Sequence, residues 1–473
     1  MVSLAYYRHR HLALLGLGKA HYALYTALRA SGAYIDCWDD DENVRRALDE
    51  SGDAITLVDL WEQDFSRYEG LIVSPGIAHR GASAHPLAHK ARACGCPIMG
   101  ELSCFDHVAS ADTTIIAITG TNGKTTTTAL LTHMLQQTHE HAYERVHMAG
   151  NIGTPLFSLE EIEGVCVFEL SSFQLDFPRT RAFEVAVLLN IARDHLAHHG
   201  GMDAYYQAKE SIFQGGGRNA HAFIGVDDAK SLALFKTLRA SSQRHVVGVS
   251  ESSHVEGGLF IENGYGIDDR HGKRTRLFSI KERQDIHPLN QLVAFGVADV
   301  MGVEQTACMR ALRSFVAPSH RCAHVGQTEM ITFVNDSKAT NIHACLHALS
   351  RYDNIFWIAG GSSKGEEEHA LKDLEESLTS VCHAFFIGEM ARAMARSVER
   401  YVPVTCCDNL RSAFSKACEH AQEHASSGKR STVLLSPACA SFDQFRDYRH
   451  RGACFTAYVE EWLTARTSME TAP

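Results

Sequence analysis

Residues Thr114–Ile118 form a short β-branched, apolar run that leads into Thr119-Gly120-Thr121-Asn122-Gly123-Lys124-Thr125, and Thr126–Leu135 then carries a helical pattern. Strand, glycine loop and helix in that order make a phosphate loop. The glycines let backbone N–H groups turn inward around phosphate oxygens, and the helix N-terminus adds partial positive charge. Lys124 is placed to neutralise β- and γ-phosphates, and the Thr125 hydroxyl to ligate Mg²⁺. The pattern is not a complete Walker A, because Ile118 stands where the first glycine belongs.

The rest of the chain is organised around similar units. Its 473 residues suggest two to four domains. A content of 45% apolar and 21% charged residues is an ordinary globular balance that can bury several cores. We divide the chain at 1–110, 111–316 and 317–473. In the first segment, strands are expected at His11–Leu17, Tyr34–Trp38 and Gly70–Val73, with a helix at His21–Ala30. In the second they are expected at Thr114–Ile118, Val165–Phe168 and Val185–Leu189, with helices near Gln291–Val300 and Glu304–Ser314. In the third they are expected at Ile331–Val334, Ile355–Ala359, Ala384–Ile387 and Thr432–Leu435. The fold class is α/β, with a parallel sheet in the first segment and a doubly wound pattern again in the third.

Bulk properties exclude several functions. The formal charge of -11 argues against nucleic acid, which favours a basic face. No apolar stretch approaches the ~20 residues that a membrane helix needs. The 14 cysteines lack disulfide or zinc spacing, and the N-terminus reads as a strand and not an export signal. A reducing cytoplasm is expected.

Polar clusters recur at strand ends, where open α/β sheets bind ligands. Glu169 ends one strand, and a carboxylate there suits a hard cation bridging phosphates; the alternative is a plain surface acid. Asn190-Ile191-Ala192-Arg193-Asp194-His195 follows another strand, and His195 suits a second metal or a substrate contact. His198 and His199 read as a solvated loop. Lys209 reads at face value as a helix-surface lysine. In Asn335-Asp336-Ser337-Lys338-Ala339-Thr340-Asn341, Asp336 suits a ribose hydroxyl and Lys338 a phosphate, unless the run is a simple N-cap. Gly16-Leu17-Gly18 with Asp39 about 20 residues on resembles a dinucleotide fingerprint, but His21 replaces its third glycine. A dehydrogenase and a plain P-loop NTPase therefore stand as alternatives.

Together these residues resemble the Mur ligase family. Gly120–Thr126 is similar to its phosphate loop, and Asn190–His195 and Asn335–Asn341 to two further signatures. Two runs are similar to the branch that adds D-glutamate: Glu169-Leu170-Ser171-Ser172-Phe173-Gln174-Leu175 and Ser436-Pro437-Ala438-Cys439-Ala440-Ser441-Phe442-Asp443-Gln444-Phe445. The resemblance spans nearly the whole chain. It implies three domains: an N-terminal Rossmann-like UDP-binding domain, a central P-loop ATPase-like domain and a C-terminal Rossmann-like domain. It also implies a monomer that joins D-glutamate to UDP-N-acetylmuramoyl-L-alanine through an acyl-phosphate, using ATP and two Mg²⁺ ions.

By matching positions, the resemblance places ATP on Gly120, Thr121, Asn122, Gly123, Lys124, Thr125, Thr126, Asn290, Arg321, Asp336 and Lys338. Thr125, Glu169, His195 and Lys209 fall to the metals, with Lys209 carbamylated. Leu17, Gly18, Asp40, Ser74, Pro75, Gly76, Asn151, Gln174 and His195 fall to the UDP-muramoyl substrate, and Thr340, Lys364, Ser441 and Tyr448 to D-glutamate. Three departures stand out. Ile286-His287-Pro288-Leu289-Asn290 lacks the usual His-Asn pair. Asp40-Asp41 replace residues that often include a uridine-phosphate cation. Tyr448 stands where phenylalanine is frequent.

Overall fold

The computed structural model describes residues 4–50, 55–81, 83–107, 113–137, 145–151, 154–159, 162–241, 243–363 and 378–470. These residues form two compact units. The first comprises 1–191 with 198–316, and the second 192–197 with 317–473.

The first unit holds two sheets. Strands β1 (His11–Leu15), β2 (Tyr34–Trp38), β3 (Gly70–Val73) and β4 (Ile98–Met99) pair in parallel in the order β2-β1-β3-β4. The larger sheet contains β5 (Thr113–Thr119), β6 (Val146–Gly150), β7 (Gly164–Glu169), β8 (Val185–Leu188), β9 (His221–Gly225), β10 (His245–Ser250), β11 (Leu259–Glu262), β12 (Tyr265–Asp268) and β13 (Thr275–Ser279). Its order is β13-β12-β11-β10-β9-β8-β5-β7-β6. β5 is almost wholly buried, as a central parallel strand covered on both faces must be. Its neighbours are β7 and β8, so chain direction across the sheet reverses around it. That reversal opens a crevice at the strand's C-terminal end.

At one edge of this sheet β11, β12 and β13 pair antiparallel. The cause is local. Asn263 and Gly264 both take positive φ, 52° and 78°, the pairing that a tight hairpin requires.

The second unit holds β14 (Ala323–Gln327), β15 (Ile331–Asn335), β16 (Ile355–Gly360), β17 (Val381–Ile387), β18 (Val404–Cys406) and β19 (Ser431–Leu435), in the order β14-β15-β19-β16-β17-β18. All pair in parallel except β14, which is antiparallel to β15. β16 and β19 are buried throughout, and Trp357 on β16 donates its indole N–H to the Ser436 carbonyl at 2.8 Å.

Candidate active site

In the larger sheet, β5 ends at Thr119 and the helix Lys124–Gln136 begins five residues later. Gly120 has φ of 156° and Gly123 of 86°. A Cβ on Gly123 would lie 2.4 Å from Asn290 Oδ1, so that glycine is required by both backbone and space. The loop is held from the turn after β8: Thr121 N donates to the Asn190 carbonyl at 2.9 Å, and Asn122 N to Asn190 Oδ1 at 2.9 Å. Lys124 Nζ folds over the turn and donates to the carbonyls of Gly120 and Thr121 at 2.8 and 2.9 Å. Asn290 belongs to the buried helix Pro288–Val300, which packs against the phosphate-loop helix. His287 is its N-cap, accepting from Leu289 N at 3.3 Å. The residues that break the His-Asn pair therefore cap a helix with histidine and start it with proline.

Lys209 is not a surface residue. It is 2% exposed, and its Nζ donates to the Gly120 carbonyl at 2.8 Å with Thr119 Oγ1 at 3.4 Å. The helix Met202–Glu210 also brings Tyr205, whose hydroxyl meets Thr121 Oγ1 at 2.9 Å. Two lysines from different elements thus converge on one loop.

Glu169 closes β7, beside β5, and is 2% exposed. Its Oε1 accepts from Asn151 Nδ2 at 3.2 Å, while Oε2 has no hydrogen-bond partner among the described residues. A buried carboxylate oxygen with no donor is costly unless a cation meets it. The open carboxylate oxygen therefore fits a divalent ion here. Gln174, on the short helix Ser172–Leu175, accepts from Ser171 N and Oγ at 3.0 Å, and its amide reaches Glu101 Oε2 at 3.5 Å.

Glu101 is buried with one oxygen unpartnered, and burial pushes its carboxyl up to about 7 against the Gln174 bond. A carboxyl raised in the folded state stabilises below its ordinary value near 4.5 and loses that contribution as pH rises through 7. Glu101→Gln should therefore raise the melting temperature at pH 8 and leave it nearly unchanged at pH 4.5. Equal shifts at the two pH values would refute the assignment.

At the C-terminal edge of the first sheet, Gly16 turns with φ of 87°, where a Cβ would strike Ser74 at 2.7 Å. Ser74-Pro75-Gly76 follows β3 and closes against this turn, with Ser74 N donating to the Leu15 carbonyl at 2.9 Å. Leu17 N donates to Asp39 Oδ2 at 2.8 Å, and Gly18 caps the helix Lys19–Ala30 without a side-chain bond. His21, at the missing glycine, is buried and meets the Gly16 carbonyl through Nδ1 at 2.9 Å. Asp40 contacts His85 Nε2 at 2.6 Å. His198 and His199 lie in a short helix, Leu196–His199, and stack near Phe173 instead of forming a solvated loop.

The second unit gathers the remaining positions. His195 holds φ of 58°, a strained value for a residue with a side chain, and its Nε2 lies 3.5 Å from Asp194 Oδ2. His320, Cys322 and Ala438 are strained in the same sense, at 65°, 48° and 60°. The first two flank Arg321, and the third lies in the Ser436–Phe445 run. Asp336 is buried, with Oδ1 accepting from Cys322 N at 3.1 Å and Oδ2 from Ser436 Oγ at 2.8 Å. Burial pushes its carboxyl up to about 6, against those two bonds and Arg321. Lys338 Nζ sits 4.2 Å over the Tyr448 ring, and Thr340 N donates to the Lys338 carbonyl at 2.8 Å. Ser441 is buried in the turn after the Ser362–Ala440 bridge. Lys364 lies outside the described residues.

Residues 118–287 match the Mur ligase middle domain. Over its full length the chain is similar to UDP-N-acetylmuramoylalanine–D-glutamate ligase of Rhodospirillum rubrum, 36% identical across 99% of this chain and 98% of the relative. The chain belongs to the UDP-N-acetylmuramoylalanine–D-glutamate ligase family. The fold agrees with other Mur ligases. MurF from Acinetobacter baumannii superposes with a TM-score of 0.57 at 16% identity, over 84% of this chain and 92% of that one. MurF from Thermotoga maritima, solved in complex with ADP, gives 0.54 at 18% identity over 98% of both.

Within this Mur ligase, Arg451 is a residue that motif reading passed over. It is 0% exposed and donates to the carbonyls of Ser337, Gly360, Cys439 and Ala440 and to Ser337 Oγ, at 3.0 to 3.4 Å. One guanidinium therefore ties together three loops that carry expected site residues. An arginine near the start of a long helix gives no sequence signal of this.

Proposed function

We propose that this chain joins D-glutamate to UDP-N-acetylmuramoyl-L-alanine, using ATP, in the synthesis of a peptidoglycan precursor. The observation that carries the reading is Glu169: a buried carboxylate with an open oxygen, at a strand end beside the phosphate loop, in a chain that matches such ligases over its whole length. The limits 1–110, 111–316 and 317–473 are proposed as three domains, because each of the three sheets falls within one of them.

In this reading the alanyl carboxylate takes the γ-phosphoryl group and ADP leaves. The D-glutamate amine then attacks the acyl carbonyl, and phosphate departs from the tetrahedral intermediate. Gly120–Thr126 and Lys124 hold the phosphates, Asn290 the adenine, and Arg321, Asp336 and Lys338 the triphosphate and ribose. Leu17, Gly18, Asp40, Ser74–Gly76, Asn151 and Gln174 take the nucleotide sugar. Thr340, Ser441, Tyr448 and Lys364 position D-glutamate. Thr125, Glu169, His195 and Lys209 would hold two Mg²⁺ ions, which offset charge on the phosphoryl group when bound. For Lys209 this requires CO₂ to add to its amine with loss of a proton. The proposed setting is a monomer in the cytoplasm. No helix among the described residues is long and apolar enough to cross a membrane.

The test is phosphate release with ATP, Mg²⁺ and UDP-N-acetylmuramoyl-L-alanine, with and without D-glutamate. Release that needs both substrates, with L-glutamate inert, is the expected result. Release indifferent to either would leave a P-loop NTPase.

A further inference from the structure

The first-sheet edge carries three consecutive acids, Asp39, Asp40 and Asp41, an unpromising lining for a nucleoside diphosphate. The structure shows how two of them are occupied. Asp39 accepts from Leu17 N at 2.8 Å and from Asp41 N at 3.0 Å. Asp40 accepts from Trp38 Nε1 at 2.9 Å and meets His85 at 2.6 Å. Both carboxylates are thus engaged by groups of the chain itself.

A cation at this edge comes from the helix that follows β2. Arg45 lies on the helix Glu42–Glu50, one turn after β2. Its Nη1 donates to the Asp39 carbonyl at 2.5 Å, and its guanidinium lies over the Trp38 ring, 4.3 Å from the centroid. Both residues are half-buried. A guanidinium held over an indole keeps planar, charged donors at the strand end, which suits a nucleobase and its phosphates. The Asp39 bonds join this guanidinium to the Leu17-Gly18 turn, where the helix Lys19–Ala30 starts without a side-chain cap and offers backbone N–H groups to a diphosphate.

We infer that Arg45, stacked on Trp38, is the binding residue for the pyrimidine base and adjoining phosphate of the uridine diphosphate substrate. It supplies from a helix the cation that Asp40-Asp41 displace from the loop. The inference rests on the ligase reading for the identity of the nucleotide.

The test is steady-state kinetics of the full chain together with displacement by free UDP. Arg45→Ala should raise KM for UDP-N-acetylmuramoyl-L-alanine about tenfold or more, weaken inhibition by UDP to the same degree, and leave kcat and the KM for ATP within about twofold. Arg45→Lys keeps the charge and loses the plane, so it should recover only part of the affinity. An unchanged KM in Arg45→Ala, or full recovery with lysine, would overturn the role of Arg45 while leaving the ligase reading intact. A wild-type chain that releases no phosphate with this substrate would overturn the ligase reading itself.

Discussion

Lys124→Ala is expected to lower substrate-dependent phosphate release by about three orders of magnitude, with little loss of stability. Lys124 Nζ donates to two carbonyls of its own loop. Each such bond contributes about 1 kcal/mol net, and alanine at the first helical position recovers part of that through propensity. The loop itself is anchored from elsewhere, by Asn190 on two sides and by Lys209 at the Gly120 carbonyl. The alanine variant should therefore fold, while losing the positive charge at the helix N-terminus that a phosphoryl group needs. Near-normal turnover would remove Lys124 from the site. A large fall in melting temperature alongside lost activity would point to a structural role. Lys124→Arg separates charge from shape, since a planar fork cannot replace a compact ammonium between two loop carbonyls.

The contrast between Lys124 and Lys209 explains what was legible in the sequence. Lys124 sits in a contiguous pattern, and the strand–loop–helix order already specifies what a lysine there faces. Lys209 lies in Gln207-Ala208-Lys209-Glu210, which reads as an exposed helix turn, and only its tertiary placement against the phosphate loop buries it. Its role entered through family resemblance alone. The strands behaved similarly. Buried parallel strands such as β5, β16 and β19 are continuous apolar runs and were expected within a residue or two. The antiparallel edge from β11 to β13 is short and partly polar, and its Asn263-Gly264 turn was the missed signal. Asp336 marks a further gap. Its place after a strand was readable, but not that both oxygens turn inward to Cys322 N and Ser436 Oγ.

Arg451→Ala is expected to destabilise the second unit by about 3–5 kcal/mol and to abolish D-glutamate-dependent turnover. The side chain is fully buried, and burial lowers its guanidinium to about 10, which still leaves it charged at neutral pH. Its charge is met by a ring of carbonyls: among the described residues no carboxylate lies within ion-pair distance. Removing it would take a donor from four buried carbonyls, of which that of Ala440 keeps Ser362 N at 3.0 Å, and would open a cavity beneath Gly361, whose Cβ position lies 3.2 Å from Nη1. The loops around Ser337, Gly360 and Cys439 would then lose their shared anchor. Trp357 reports on this region directly, since its indole bonds the Ser436 carbonyl. Its fluorescence should shift to the red at lower denaturant in the variant. Arg451→Lys keeps a charge but reaches fewer carbonyls, so its KM for D-glutamate should rise while its KM for ATP changes less. If Arg451→Ala unfolds at the wild-type denaturant concentration, or if Arg451→Lys leaves the D-glutamate KM unchanged, the guanidinium is not what sets these loops.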